Sequence, residues 1–316
     1  MISELGLKNS AAWIVPKGAL SLAMYASVGV VGICSINTAT SQAFYNMIFA
    51  SDSLRDFVFT RLEKANAEKE WEPLISTGTQ RNLNAEKVRG FEILVPSAKE
   101  ISNIASFFLA LDSSIVLHQR KLDQLKELKK SLLQKMFPAD GEDTPRIRFA
   151  GFTDAWEQRK FSEIATRRSD SAISSNLLPS VEYEDIVSSE GILNKDLQNK
   201  KTGRKGLKFS PSDILFGKLR PYLHNWLKPS FPGVAIGDFW VFAASKNVDP
   251  DFLYCLIQSP KYDAVANLSS GSKMPRSDWQ LVSNAYFLTP RQIDEQIKVA
   301  ATFRNIESFI VLHQRE

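Results

Sequence analysis

Three basic clusters hold the side chains best suited to chemistry, and the chemistry is the grip on a polyanion. Residues 195–208 read KDLQNKKTGRKGLK, six cations against the single anion Asp196. Lys201, Arg204, Lys205 and Lys208 are the candidates there, on a loop that Gly203 and Gly206 make flexible. Such density suits a phosphate backbone, because each Lys or Arg that neutralises a phosphate releases a condensed counterion. A solvated hairpin is the competing reading. Residues 217–225 read GKLRPYLHN and follow a strand-like run. Lys218, Arg220, Tyr222 and Asn225 are the candidates, since the forks of Arg and Asn match guanine and adenine edges in the major groove. Residues 269–276, SSGSKMPR, place Lys273 and Arg276 behind small residues that let a backbone approach a phosphate. A similar loop at 76–82, STGTQRN, carries Gln80, Arg81 and Asn82. Its occurrence twice favours function over incidental surface charge.

Catalytic constellations are missing from the sequence. There is no G-x-x-x-x-G-K-[ST] phosphate loop and no H-E-x-x-H. No Asn-Pro-Pro tetrapeptide of the amino-methyltransferase kind occurs. The histidines, His118, His224 and His313, and the cysteines, Cys34 and Cys255, lack metal-ligand spacing. Two of the histidines fall on a helix seam, where polar residues set register. Two cysteines in 316 residues make no disulfide framework and fit a reducing cytoplasm. Net charge is +4 with pI about 8.9, which points to an anionic partner without making a polybasic tail. Residues 19–36 are largely apolar, but Ser21, Ser27 and Ser35 interrupt them, and no membrane span is expected there.

The elements that must position these clusters come in two copies. The hexapeptide IVLHQR occupies Ile115 to Arg120 and recurs at Ile310 to Arg315, 195 positions later. A repeat of this length bears on the whole fold. Strands are expected at 20–25, 43–49, 91–95, 213–216 and 238–242, and helices at 52–70 and 250–259. From 99 to 137 apolar or helix-facing residues step by three and four through Ile104, Phe108, Leu111, Ile115, His118, Leu122, Leu125, Leu128, Leu132 and Met136. That is a coiled-coil seam about 58 Å long. The pattern returns after Pro290 with Ile306 and Ile310. Residues 138–152 read as a Pro/Gly linker. By this alignment the first copy lacks about 40 opening residues and the last helix is cut at Glu316, leaving an apolar seam to be covered by a second copy.

In order, these features resemble the DNA-specificity subunit of type I restriction-modification enzymes. The resemblance rests on Trp156-Glu157-Gln158-Arg159-Lys160 after Phe149 to Thr153, on GKLRPY at 217–222, on SGSKMPR at 270–276, and on KKSLLQKMF at 129–137. It implies an α+β fold of two target-recognition domains held apart by two antiparallel helices. The corresponding segments are 1–97 for the first domain, 98–138 for the spacer helix, 139–155 for a linker, 156–290 for the second domain and 291–316 for the distal helix. Each domain would read one half of a split double-stranded DNA target. Ile104, Phe108, Ile115, Leu122, Leu125, Leu132, Ile306 and Ile310 would form the subunit interface. Modification subunits would bring S-adenosylmethionine and N6-adenine methylation, and a restriction subunit would bring ATP, Mg and cleavage, leaving this chain non-catalytic and without cofactor. The alternatives are an inactive or half specificity subunit acting as a coiled-coil scaffold or dimerising module, and a methyltransferase with its own recognition domain.

Overall fold

The computed structural model describes residues 4–10, 12–76, 81–197, 200–268 and 274–315. The chain divides into two compact units, 1–118 and 119–316. The boundary falls inside one continuous helix, so each half of that helix belongs to a different unit.

The first unit begins with helix α1 (Glu4–Lys8) and five strands: β1 (Trp13–Val15), β2 (Leu20–Ala23), β3 (Val31–Ile33), β4 (Thr38–Thr40) and β5 (Phe44–Met47). The strands pair antiparallel as a ribbon β1-β4 and a three-stranded sheet β3-β2-β5. Helix α2 (Asp52–Ala67) starts where Ser51 accepts a hydrogen bond from the Leu54 N–H, which satisfies one of the orphan donors at a helix start. Its Phe57, Val58, Leu62 and Ala65 bury against Leu20 and Leu22 of β2, with Trp71 and Leu83 closing the core. Helix α3 (Ala85–Arg89) adds Val88. Helix α4 (Ala98–Lys135) opens with a reciprocal cap: Ser97 N–H donates to Glu100, and Glu100 N–H donates to Ser97 Oγ.

Expectation and structure part at two places in this unit. Residues 91–95 form no strand. A strand exists only by pairing, and among the described residues these find no partner. Ile104, expected in a subunit interface, instead packs on the first unit's own core. Beyond it Phe107, Leu109, Ile115 and Leu117 are exposed, and Phe108 is barely so.

The second unit takes up α4 from residue 119. Its strands are β6 (Glu157–Lys160), β7 (Ala165–Arg167), β8 (Ser171–Ile173), β9 (Ser180–Val181), β10 (Ile186–Val187), β11 (Ile192–Leu193), β12 (Lys205–Phe209), β13 (Ile214–Gly217), β14 (Trp226–Leu227), β15 (Gly233–Ala235), β16 (Phe239–Ala244) and β17 (Tyr286–Thr289). Its helices are α5 (Phe161–Ile164), α6 (Pro250–Ile257), α7 (Pro260–Ala266), α8 (Trp279–Asn284) and α9 (Ile293–Arg315). Two four-stranded sheets dominate, ordered β8-β12-β15-β9 and β14-β13-β16-β7, with the pair β17-β6 and the hairpin β10-β11 beside them. The apolar runs of β13 and β16 have a simple cause. Side chains alternate across a strand, and here both faces are covered. Ile214, Phe216, Trp240 and Phe242 enter one core with Phe252 and Tyr262. Leu215, Phe239 and Val241 enter another with Phe209 and Val181. Asp249 and Ser259 cap α6 and α7, each followed by proline at the first helical position.

The seam is the main correction. Leu122 and Leu125 of α4 are buried against Ile306 and Ile310 of α9, with Leu132 packed beside them. The helices run antiparallel, and Lys129 meets Glu307 at 2.7 Å across the seam. These residues therefore serve an intrachain helix pair, and this half of α4 is not left open for a second copy. By length and composition alone α4 could also cross a membrane, with only 11% of the apolar window buried. Asp112 lies within its apolar stretch, and a charge at mid-membrane costs about 3 kcal/mol.

Candidate nucleic-acid interface

Two of the three basic clusters meet on one surface of the second unit. Strand β13 ends at Gly217, whose N–H donates to the Asn225 carbonyl at 2.7 Å. A Cβ here would lie 2.8 Å from Tyr183 Oη and 2.9 Å from that carbonyl, so glycine alone fits without displacement. The chain then turns sharply. Arg220 and His224 adopt left-handed backbone, φ +48° and +54°, on either side of the turn Pro221–Leu223. For residues with a Cβ that conformation costs about 1–2 kcal/mol, and main-chain bonds hold it. Arg220 N–H donates to the Pro275 carbonyl at 2.7 Å, and Ser277 N–H donates to the Lys218 carbonyl at 2.8 Å. Leu219 and Arg276 form an antiparallel bridge. The expected clusters at 217–225 and 269–276 thus join, although Ser269 to Lys273, and with them candidate Lys273, lie outside the described residues.

Asp238, just ahead of β16, organises the joined surface. Its carboxylate lies 2.9 Å from Arg276 Nη2 and 3.6 Å from Lys218 Nζ. Its carbonyl accepts from Tyr183 Oη–H at 2.7 Å and from the Lys218 N–H at 2.8 Å. Tyr183 Oη in turn accepts from Leu219 N–H at 2.8 Å. Burial pushes the Tyr183 phenol far above its ordinary range, so it stays protonated and keeps donating. Arg220 and Tyr222 project outward, Tyr222 with 52% exposure. Asn225 does not. It is buried, and its Oδ1 accepts from Ser188 Oγ at 2.9 Å, so it braces the turn and is not presented to a base edge.

The cluster at 195–208 departs further from expectation. Residues 205–209 are strand β12, and Gly206 is there for packing, because a Cβ would sit 2.3 Å from the Ala235 carbonyl of β15. Lys205 and Lys208, both exposed, point to opposite faces by strand alternation. Lys201 is exposed. Much of the remaining charge is cancelled locally. Arg204 contacts Glu182 at 2.6 Å, Lys195 contacts Asp185 at 2.9 Å, and Lys200 bonds to both carboxylates. Burial raises the affinity of Glu182 and Asp185 for protons, but these cationic partners outweigh it and hold both carboxyls below the usual range.

In the first unit, Gln80 lies outside the described residues. Exposed Arg81 pairs with Glu72 at 2.6 Å, and Asn82 bridges to Tyr25 and Ser76.

The sequence reading missed Asp238, Tyr183 and the Glu182/Asp185 pair. It also missed Glu295, which is almost fully buried. Arg148 grips it twice, at 2.7 and 2.9 Å, and the Trp156 indole N–H donates to it at 3.1 Å. Sequence spacing carries no sign of these contacts, which span up to 147 positions. Of the histidines, His224 bonds Asp263 at 2.9 Å and stacks on Trp226. Cys255 is buried, which pushes its thiol well above the ordinary range and leaves it unreactive. Among the described residues no group of three or more His, Cys, Asp or Glu side chains is placed to hold a metal.

Residues 1–127 match the family model described as the type I restriction modification DNA specificity domain. The S subunit of the type I restriction-modification system from M. genitalium aligns at TM-score 0.60 and 14% identity, over 95% of this chain and 79% of that one. A chain from a study of complex assembly and conformational transition in the type I R-M system aligns at TM-score 0.54 and 14% identity, over 96% and 77%. At such identity these likenesses speak for the fold alone. The family model covers the first unit, whereas most motifs behind the resemblance lie in the second. The chain as a whole thus carries the fold of these S-subunit structures, and its residues 1–127 are similar to the type I restriction modification DNA specificity domain.

Proposed function

We propose that the chain is the DNA-reading subunit of a type I restriction-modification assembly, itself without catalysis. The observation that carries this reading is the surface of Lys218, Arg220, Tyr222 and Arg276. Two separate stretches are joined there by main-chain hydrogen bonds, with cations and an aromatic ring turned outward. Cations suit phosphates and the Arg fork suits guanine.

Each unit reads one half of a bipartite target. In support, elements of the first unit return in the second about 195 positions on: β2 as β13, β5 as β16 and α4 as α9. The Tyr25–Asn82 bridge has its like in Leu219–Arg276. The helices fix the spacer between half-targets. The exposed apolar side chains Phe108, Leu111 and Ile115 share one face of α4, and that face docks modification subunits, which carry S-adenosylmethionine. The restriction subunit supplies ATP and Mg chemistry. Such an assembly works in the cytoplasm. One observation favours a second reading, a coiled-coil scaffold. Glu182 and Asp185 cancel much of the basic cluster's charge, and an exposed apolar helix suits any protein partner, a second copy included.

Co-expression with a modification subunit, followed by mapping of N6-methyladenine in host DNA, tests this. A new split motif supports the reading. A palindromic motif means two copies each using one reader. A stable complex that leaves DNA unmodified favours the scaffold, and absence of any complex overturns the assembly.

A further inference from the structure

Asp238 is the single anion placed between the two cations of the joined surface, and nothing in the core requires it. Its carboxylate is 29% exposed, Lys218 31% and Arg276 56%. The trio is thus open to an incoming polyanion. Its main chain is pinned by Tyr183 and by the Lys218 N–H, and Gly237, at φ +99°, makes the turn that presents it. The carboxylate therefore cannot swing away with a loop.

We infer that Asp238 is a specificity-determining positioning residue, which orients Arg276 for a base edge while withholding the Lys218 and Arg276 charges from phosphates. The inference rests on the DNA-reading proposal above. Two effects follow from one geometry. The carboxylate takes only one terminal nitrogen of Arg276, at 2.9 Å, and leaves most of a five-donor fork to be offered in a fixed direction. At the same time it competes with any phosphate for the same two cations. Sequence-independent binding is driven almost wholly by phosphate neutralisation, so this competition falls hardest on random DNA. At the target, base contacts add what phosphates alone do not. A neutral residue at 238 reverses both effects.

The test uses the full chain and a fluorescein-labelled duplex of random sequence, titrated by anisotropy across about 50–200 mM salt. Three proteins are compared: wild type, Asp238→Asn, and the double variant Asp238→Asn with Arg276→Gln. Thermal melts check that each is folded. Asp238→Asn is expected to bind random DNA on the order of three- to tenfold more tightly, with a salt slope steeper by about one phosphate contact. The double variant is expected to lose that gain. A residue that merely supported the fold would weaken binding on substitution, so a gain is the diagnostic sign. If wild type binds DNA and Asp238→Asn binds no more tightly, the inference is overturned while the DNA-reading proposal stands. If Asp238→Asn melts early, Asp238→Ser replaces it under the same criterion. If no protein binds any duplex at the lowest salt, the proposal falls and takes the inference with it.

Discussion

Glu295 and Asp185 are side chains whose worth is set by what surrounds them. Glu295 is 2% exposed with a bidentate Arg148 and an indole N–H as partners. Removing one member of a buried ion pair strands the other, so Glu295→Ala is expected to cost about 3–5 kcal/mol, read as an earlier urea midpoint for the second unit. Asp185 and Glu182 have folded-state proton affinities below those of free carboxylates. The sign follows from linkage: the unfolded chain takes up protons first on acidification. Their stabilisation is thus complete above the ordinary carboxylate range near pH 4 and is lost as pH falls through the lower folded values. Asp185→Asn should flatten the acid limb of a stability–pH curve. An unchanged limb would place the acid sensitivity elsewhere.

Among elements, α4 and α9 make the sharpest contrast. Leu125 is buried in the helix pair, whereas Ile115, ten positions earlier, is 58% exposed. Leu125→Asp should cost at least the roughly 2–5 kcal/mol of deleting a buried leucine and expose α9 to limited proteolysis. Ile115→Asp should stay within about 0.5 kcal/mol of wild type in melts yet weaken capture of a modification subunit. Equal effects in both assays would refute the division of the seam. The helix itself was legible, because its three-four spacing is a local signal. So were β13, β16 and α6, expected at 213–216, 238–242 and 250–259 from their apolar runs. What covers the seam was not legible, since periodicity names a face and not its partner. Residues 91–95 failed for a related reason: strand propensity without a neighbouring edge makes no strand. Strand β12 was hidden by its own lysines and by Gly206, whose purpose is a close approach visible only in three dimensions.

For the whole molecule, the candidate surface was legible as pieces and illegible as a unit. Lys218, Arg220, Tyr222 and Arg276 stand out by type, but Tyr183 and Asp238, which fasten them, come from positions with no local signature. Strands β13 and β16 spend both faces on cores, so the residues proposed to read DNA lie in turns beyond the strand ends. Arg220 and Tyr222 make no contact that either core depends on. Under the proposed function, holding shape and choosing a target would fall to different side chains. Under that reading, substitutions in the turns would alter target preference while the sheet that bears them stays as it is, so a new preference would not first have to survive a loss of folding.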